Sequence, residues 1–190
     1  SPRDGIIVYN TSANGAGEDA VTPGIYLNMH QTWLRLMDTE TAGGTATKIG
    51  ELAGNNAQQY QAGALSDATT GADAVKLPID GGDIVISEAG RYIFSFRLYG
   101  AMGGTAVYGD YYLYLFKQNG ATEELLTSVN MIVVKGSGAW ATYTPVMVTP
   151  HLEAGDTIIV RFGRVDSQTW GLVKNPRTTA NRTSFVYWKM

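Results

Sequence analysis

The sequence predicts an all-β fold: an antiparallel jelly-roll sandwich preceded by a small β-meander module. Three observations carry this expectation. Short runs of alternating apolar and polar residues recur at intervals of about 8–15 residues from position 77 onward. No segment of helix length with helical apolar spacing lies between them. The composition sets 11 Tyr, 5 Phe and 4 Trp among 23 Gly in 190 residues, which favours strands and tight turns over helices.

Taken in order, residues 1–38 read as a small β-meander connector module. Its strands lie over 5–9, 24–27 and 32–36, with a turn at Pro23-Gly24 and a hairpin loop over 28–31. A unit this small is marginal alone and is expected to pack on something. Residues 39–76 change character. They are rich in Ala, Gly and Thr, lack a sustained apolar stripe, and read as a linker or long loop with one strand near 59–64.

Residues 77–190 read as the jelly-roll head domain. A strand over 83–87 carries Ile84, Val85 and Ile86 and stops at Glu88-Ala89-Gly90. The next, over 91–99, alternates Tyr92, Phe94, Phe96 and Leu98 on one face with Ile93, Ser95 and Arg97 on the other. A strand over 111–116 closes at Gln118-Asn119-Gly120, where Asn-Gly is a strong hairpin turn. One or two strands follow over 125–134, another over 140–148, a turn over 153–156, and strands over 157–162 and 184–189.

Composition excludes several function classes. Lys and Arg number 14 against 17 Asp and Glu, a net charge of −3, with no basic block, so nucleic acid is not an expected partner. No apolar run reaches the roughly 18 residues that a membrane-spanning helix needs. Absence of cysteine removes disulfides, thiolate catalysis and cysteine metal sites, and leaves the compartment open. The chain opens at Ser1 rather than Met, so it is expected to be a processed or truncated product, any export signal or anchor having preceded it.

Residues suited to catalysis do not assemble into a constellation. His30 and His151 are the only histidines, far too few for a cupin-type metal centre. There is no Gly-x-Ser-x-Gly, and Gly136-Ser137-Gly138 reads as a flexible turn. Glu153 and Asp156 fall inside a tight turn where an aspartate caps backbone, and Glu123-Glu124 are expected to be solvated. The Gly-rich stretch 100–104 lacks the helix and Lys-Ser/Thr of a phosphate loop. Asp80, Asp83 and Asp110 are oxygen-rich points without the array that binds calcium. The expectation is therefore no enzyme, no catalytic residue, no cofactor and no metal.

Aromatic residues are the better candidates. "VYGDYYLYLF" (107–116) places Tyr112 and Tyr114 on one strand face, expected to fill the core, and Tyr111 with Leu113 on the other. Tyr108, Tyr111, Trp140 and Trp170 are the candidate ligand-binding residues, because tyrosine and tryptophan at strand ends and loop tips serve carbohydrate or protein recognition. A second pattern concerns strands that are apolar on both faces. The last strand sets Phe185 and Tyr187 against Val186 and Trp188; the segment before the turn sets Tyr143, Pro145 and Met147 against Thr144, Val146 and Val148. A half-wet strand should alternate. One face builds the core and the other meets either residues 5–37 or another subunit; Val186, Trp188, Val146 and Val148, or the opposite face of the same strands, are the candidate oligomer contact in an expected homotrimer.

Three stretches of the head resemble the complement and tumour-necrosis-factor superfamily. "ISEAGRYIFSFRLYG" (86–100) is similar to that family's Gly-x-Tyr-x-Phe strand. "TPHLEAGDTIIVRFG" (149–163) is similar to its Leu-x-x-Gly-Asp hairpin, and "SFVYWKM" (184–190) to its closing strand, with Phe185 at the start. The resemblance covers residues 83–190 in order and spacing. "RDGIIVYNTS…TPGIYLNMHQTWLRL" resembles a short module of secreted and surface proteins from Gram-negative gut-type bacteria, with Met29-His30-Gln31 in place of the usual Trp/Gly-containing turn. Together these resemblances imply a trimeric, secreted or cell-surface, adhesin-like bacterial binding head with a glycan or protein ligand. They also imply that the equivalent strands line a threefold contact, and that residues 1–38 are a connector to a stalk or to the trimer mates. A monomeric carbohydrate-binding module with an aromatic platform is the alternative; a glycan-active enzyme stands third.

Overall fold

The computed structural model describes residues 7–10, 24–29, 32–37, 48–54, 58–174 and 182–190. Expectations for Pro23, for His30 and for the loop around it lie outside the described residues. The chain divides into two compact units, Ser1–Ala46 and Thr47–Met190.

The first unit is a three-stranded antiparallel sheet, β1 (Ile7–Asn10), β2 (Gly24–Met29) and β3 (Thr32–Met37), in that spatial order. Tyr9 lies opposite Ile25, and Leu27 opposite Leu34, so β2 is the centre of a meander.

The second unit is a two-sheet sandwich with jelly-roll connectivity. Its principal strands are β4 (Lys48–Glu51), β8 (Ile84–Val85), β9 (Tyr92–Met102), β10 (Tyr108–Asn119), β11 (Thr122–Val134), β12 (Trp140–Tyr143) with β13 (Val146–Val148), β14 (Thr157–Arg164) and β16 (Ser184–Lys189). First pairs with last (β4 with β16), β8 with β14, β9 with β12 and β13, and β10 with β11. This second unit is thus a long folded hairpin rolled into two layers, which is what defines the jelly roll. One sheet holds β4, β16, β9 and β12/β13; the other holds β8, β14, β10 and β11.

The layers close on a single apolar core. Phe94, Leu98, Tyr111, Leu113, Phe162 and Trp170 are each 0% exposed. Strand β9 supplies Tyr92, Phe94, Phe96 and Leu98 to it, as their alternation predicts, and Phe94 stacks on Tyr187 at 5.0 Å and 6°.

The structure differs from the sequence reading in four places. Residues 48–76, part of the 39–76 stretch expected as a linker or long loop with one strand near 59–64, supply several edge strands of the sandwich. Besides β4 these are β5 (Gln59–Gln61), β6 (Gly63–Ala64) and β7 (Val75–Lys76). β5 pairs with β15 (Trp170–Val173), β7 antiparallel with β14, and β6 parallel with β14. Pieces of two to four residues carry no periodicity; they are strands because a sheet edge offers them backbone partners. Strand β15 itself has no alternation, being buried throughout. The 140–148 stretch is two strands, broken at Thr144-Pro145, because proline donates no ladder hydrogen bond.

The fourth difference is in β10. Tyr111 and Leu113 face the sandwich core, whereas Tyr114 belongs to a second, smaller cluster with Ala74, Phe116 and Ile159, to which Tyr112 packs. That cluster lies on the outer face of the sheet beneath the 65–74 loop. The loop is fitted to it: the Tyr114 hydroxyl donates to the Ala68 carbonyl at 2.7 Å. Tyr114 is therefore covered by a loop rather than by the opposite sheet, and Tyr112 packs beside it half-buried.

Candidate functional site

Strand register assigns each nominated residue to a surface. Tyr111 and Trp170 are corrected: both are fully buried and present no face to a ligand. Trp170 starts β15 opposite Met102, facing inward, and meets Tyr111 edge-on at 5.1 Å and Phe162 at 5.5 Å. The Tyr111 hydroxyl donates to the Gln168 carbonyl at 3.3 Å, and burial, with the Asp166 charge adding to it, pushes its pKa up to about 12. Tyr111 lies on the inward side of β10 with Leu113, and Trp170 opens β15 facing the core, so closeness to a loop in the sequence did not make either exposed.

Tyr108 and Trp140 are at the surface, on different sheets. Tyr108 is 59% exposed at the start of β10, opposite Val134. Trp140 is half-buried and stacks on Tyr99 at 5.1 Å and 11°. They do not converge.

The four nominated contact residues share one face. Val148, Ile93 and Trp188 form one cross-strand row; Val146, Ser95 and Val186 form the next. Met147, Phe94, Phe185 and Tyr187 alternate with them and enter the core, so the rows lie on the outer face of the first sheet. Val146 is 59% exposed and Val148 46% exposed. Directly opposed residues on a sheet face stand about 5 Å apart, so these side chains form one apolar patch.

Farther along the same face lies another row. Trp140 is opposite Ala101, Ala101 opposite Gly171, and Gly171 opposite Gln61. Gln59, two residues before Gln61, is on the same side, and both are exposed. A Cβ on Gly171 would stand 2.5 Å from Gln61 Nε2 and 2.6 Å from Gln59 Oε1, so the two amides lean across that glycine. Only the register brings an aromatic from one edge and two amides from the other onto one floor; nothing in the sequence around Gln59 marks it.

The second sheet carries a groove of about 590 Å³ on its outer face. Thr69, Thr70, Phe116, Glu123, Leu125 and Arg161 line it. Here the expectation for Glu123 is corrected. It is not solvated but held by Arg161, with Nε to Oε2 at 2.7 Å and Nη2 to Oε1 at 2.9 Å. The charge is satisfied by its partner, and Arg161 lies over the Phe116 ring at 5.6 Å.

Other acidic residues singled out in the sequence are engaged structurally. Asp156 accepts the Glu153 backbone N–H at 2.9 Å and caps its turn. Asp80 and Asp83 pair with Lys174 and Lys76. His151 is exposed beside Glu153 at 3.5 Å. Among the described residues no three His, Asp or Glu side chains converge on a point where a metal ion could sit. Among the described residues, too, no helix is long and apolar enough to cross a membrane.

No protein-family model matches the sequence, and no curated protein does. Among solved structures the chain is similar to the Eiger TNF of S. frugiperda, at 11% identity, over 76% of this chain and 92% of that one, with a TM-score of 0.42. It is also similar to a carbohydrate-binding module of Cellvibrio mixtus lichenase 5A, solved with cellotriose. That match has 15% identity, covers 74% of this chain and 96% of the other, and has a TM-score of 0.40. At these values neither likeness transfers a residue, a ligand or an assembly to this chain.

Proposed function

We propose that residues 47–190 are a non-enzymatic binding head that assembles as a homotrimer at the cell surface or in the secreted space. The observation that carries this reading is the apolar outer face of the first sheet, with Val146 59% exposed, Val148 46% exposed, and Ile93, Val186 and Trp188 beside them. Uncovered apolar faces of this kind mark association sites or aggregation hazards.

A second surface supports a ring rather than a two-fold pair. Strand β11 pairs only with β10 among the described residues, and from Leu125 to Val134 it carries no charge. Long uncharged edges are seldom left bare. An apolar face on one copy against an unlike edge on the next is a heterologous contact, which closes into a ring when the rotation permits.

The test is the mass in solution. Light scattering at micromolar concentration should return three times the 20.4 kDa chain mass. Val146→Asp with Val148→Asp should return the monomer, with circular dichroism unchanged, because both side chains point away from the core. A wild-type monomer overturns assembly, and a dimer overturns the threefold form. Turnover of a polysaccharide, ester or peptide that a single carboxylate→Ala change abolishes would overturn the non-enzymatic reading.

A further inference from the structure

The row Trp140–Ala101–Gly171–Gln61 has the makings of a site. It runs across four strands, so its ends lie roughly 14 Å apart at the backbone. Its open middle is Ala101, whose methyl is the smallest side chain after glycine; Gly171 beyond it is buried beneath the two amides. One wall is an indole backed by the Tyr99 ring, which fixes its plane. The other wall is a pair of linked amides, Gln61 Nε2 donating to Gln59 Oε1 at 3.3 Å. That link leaves the Gln59 NH₂ as a donor and the Gln61 carbonyl as an acceptor, neither with another partner among the described residues.

We propose that this trough binds an uncharged pyranose ring, seated over Ala101 with its C–H face on Trp140 and two adjacent hydroxyls on the Gln59–Gln61 amides. Each sugar hydroxyl both donates and accepts, so a neighbouring donor and acceptor match a pair of them. An aromatic ring takes the apolar face of such a ligand without a charge. No Lys, Arg, Asp or Glu stands in the row, so nothing in it selects an anion. A few placed polar groups beside an aromatic surface is the usual composition of a small-ligand site.

The trough is separate from the apolar association patch. Ala101 is six residues beyond Ser95 on β9, roughly 20 Å along the strand. The inference rests on reading residues 47–190 as a binding head, and not on how many copies assemble.

The test uses the full chain, labelled with nitrogen-15 and titrated with maltotetraose, xylotetraose and chitotriose, and with a heparin-derived tetrasaccharide as anionic probe. The indole signal of Trp140 and the side-chain amide signals of Gln59 and Gln61 should shift saturably with at least one neutral probe, at a dissociation constant of about 1 mM or tighter. Trp140→Ala should weaken binding about tenfold or more, and so should the double change Gln59→Ala with Gln61→Ala, whose exposed side chains can be removed without touching the core. Val146→Asp with Val148→Asp should leave the affinity unchanged whatever the wild-type mass proves to be, so failure of the assembly and failure of the site are read apart. No shift with any neutral probe, shifts confined to the Arg161 groove, tighter binding of the anionic probe, or affinity unaltered by both trough variants would overturn the proposal.

Discussion

Arg161 grips Glu123 through two bonds of 2.7 and 2.9 Å and reaches past it with Nη1 to the Ala74 carbonyl at 2.8 Å. One guanidinium thereby ties strand β14 to β11 and to the loop that covers Tyr114. Its side chain is 23% exposed and its partner's 22%, so water screens the pair only in part.

Glu123→Ala should therefore cost about 1–3 kcal/mol, because it leaves a half-buried guanidinium short of its acceptors. Asp83→Ala removes a pair that is 44% and 40% exposed and should change stability by no more than about 0.5 kcal/mol. Urea unfolding of both variants checks this. Equal losses would mean that Arg161 contributes as an ordinary surface charge.

Gly71 and Gly120 share a left-handed backbone, φ +62° and +60°, yet differ in surroundings. A Cβ on Gly71 would stand 2.7 Å from the Tyr114 ring, whereas one on Gly120 would meet nothing within 4 Å. Gly120→Ala should cost about 1–2 kcal/mol, the strain of that conformation. Gly71→Ala carries the same strain plus a clash with a buried ring, and should be worse by at least about 1 kcal/mol. Thermal melts of the pair measure the difference directly; indistinguishable values would show that the 65–74 loop can lift off Tyr114 at no cost.

Alkaline pH should unfold the head through its buried tyrosines. Burial raises Tyr111 to about 12 from the usual 10.0, and raises Tyr114 and Tyr187 in the same direction. A folded-state pKa above the unfolded one means that the neutral form is stabilised by folding. That contribution is complete below pH 10.0 and is lost as pH rises toward 12. Near-ultraviolet circular dichroism should collapse in this window together with the late part of the tyrosinate absorbance. Tyr111→Phe removes one titrating hydroxyl and should narrow the loss. Full tyrosinate absorbance with the dichroism intact would show that the core hydroxyls ionise without unfolding.

How much of this was legible in the sequence depends on the length of the element. Tyr92, Phe94, Phe96 and Leu98 announce β9 and its inward face, because a strand that long repeats its period several times. Asn119-Gly120 announces the β10–β11 hairpin, with Gly120 at φ +60°. For β13 and β16, apolar on both faces, the alternation groups Val146 with Val148 and Val186 with Trp188, but pairing with β9, which sends Phe94, Met147, Phe185 and Tyr187 into the core, decides that they face outward.

Tertiary structure alone decided the rest. Tyr111 and Trp170 became core, and Tyr114 became the floor of a loop, because burial depends on what crosses over a residue and not on its neighbours in the chain. Residues 59–64, expected as one strand, became two short ones on different sheets because β15 pairs with 59–61 and β14 with 63–64. Gln61 and Trp140 came onto one face through β15 and β9, which stand between them. Local periodicity determines which way a long strand faces; pairing between distant segments determines what it faces, and that information is spread over the whole chain.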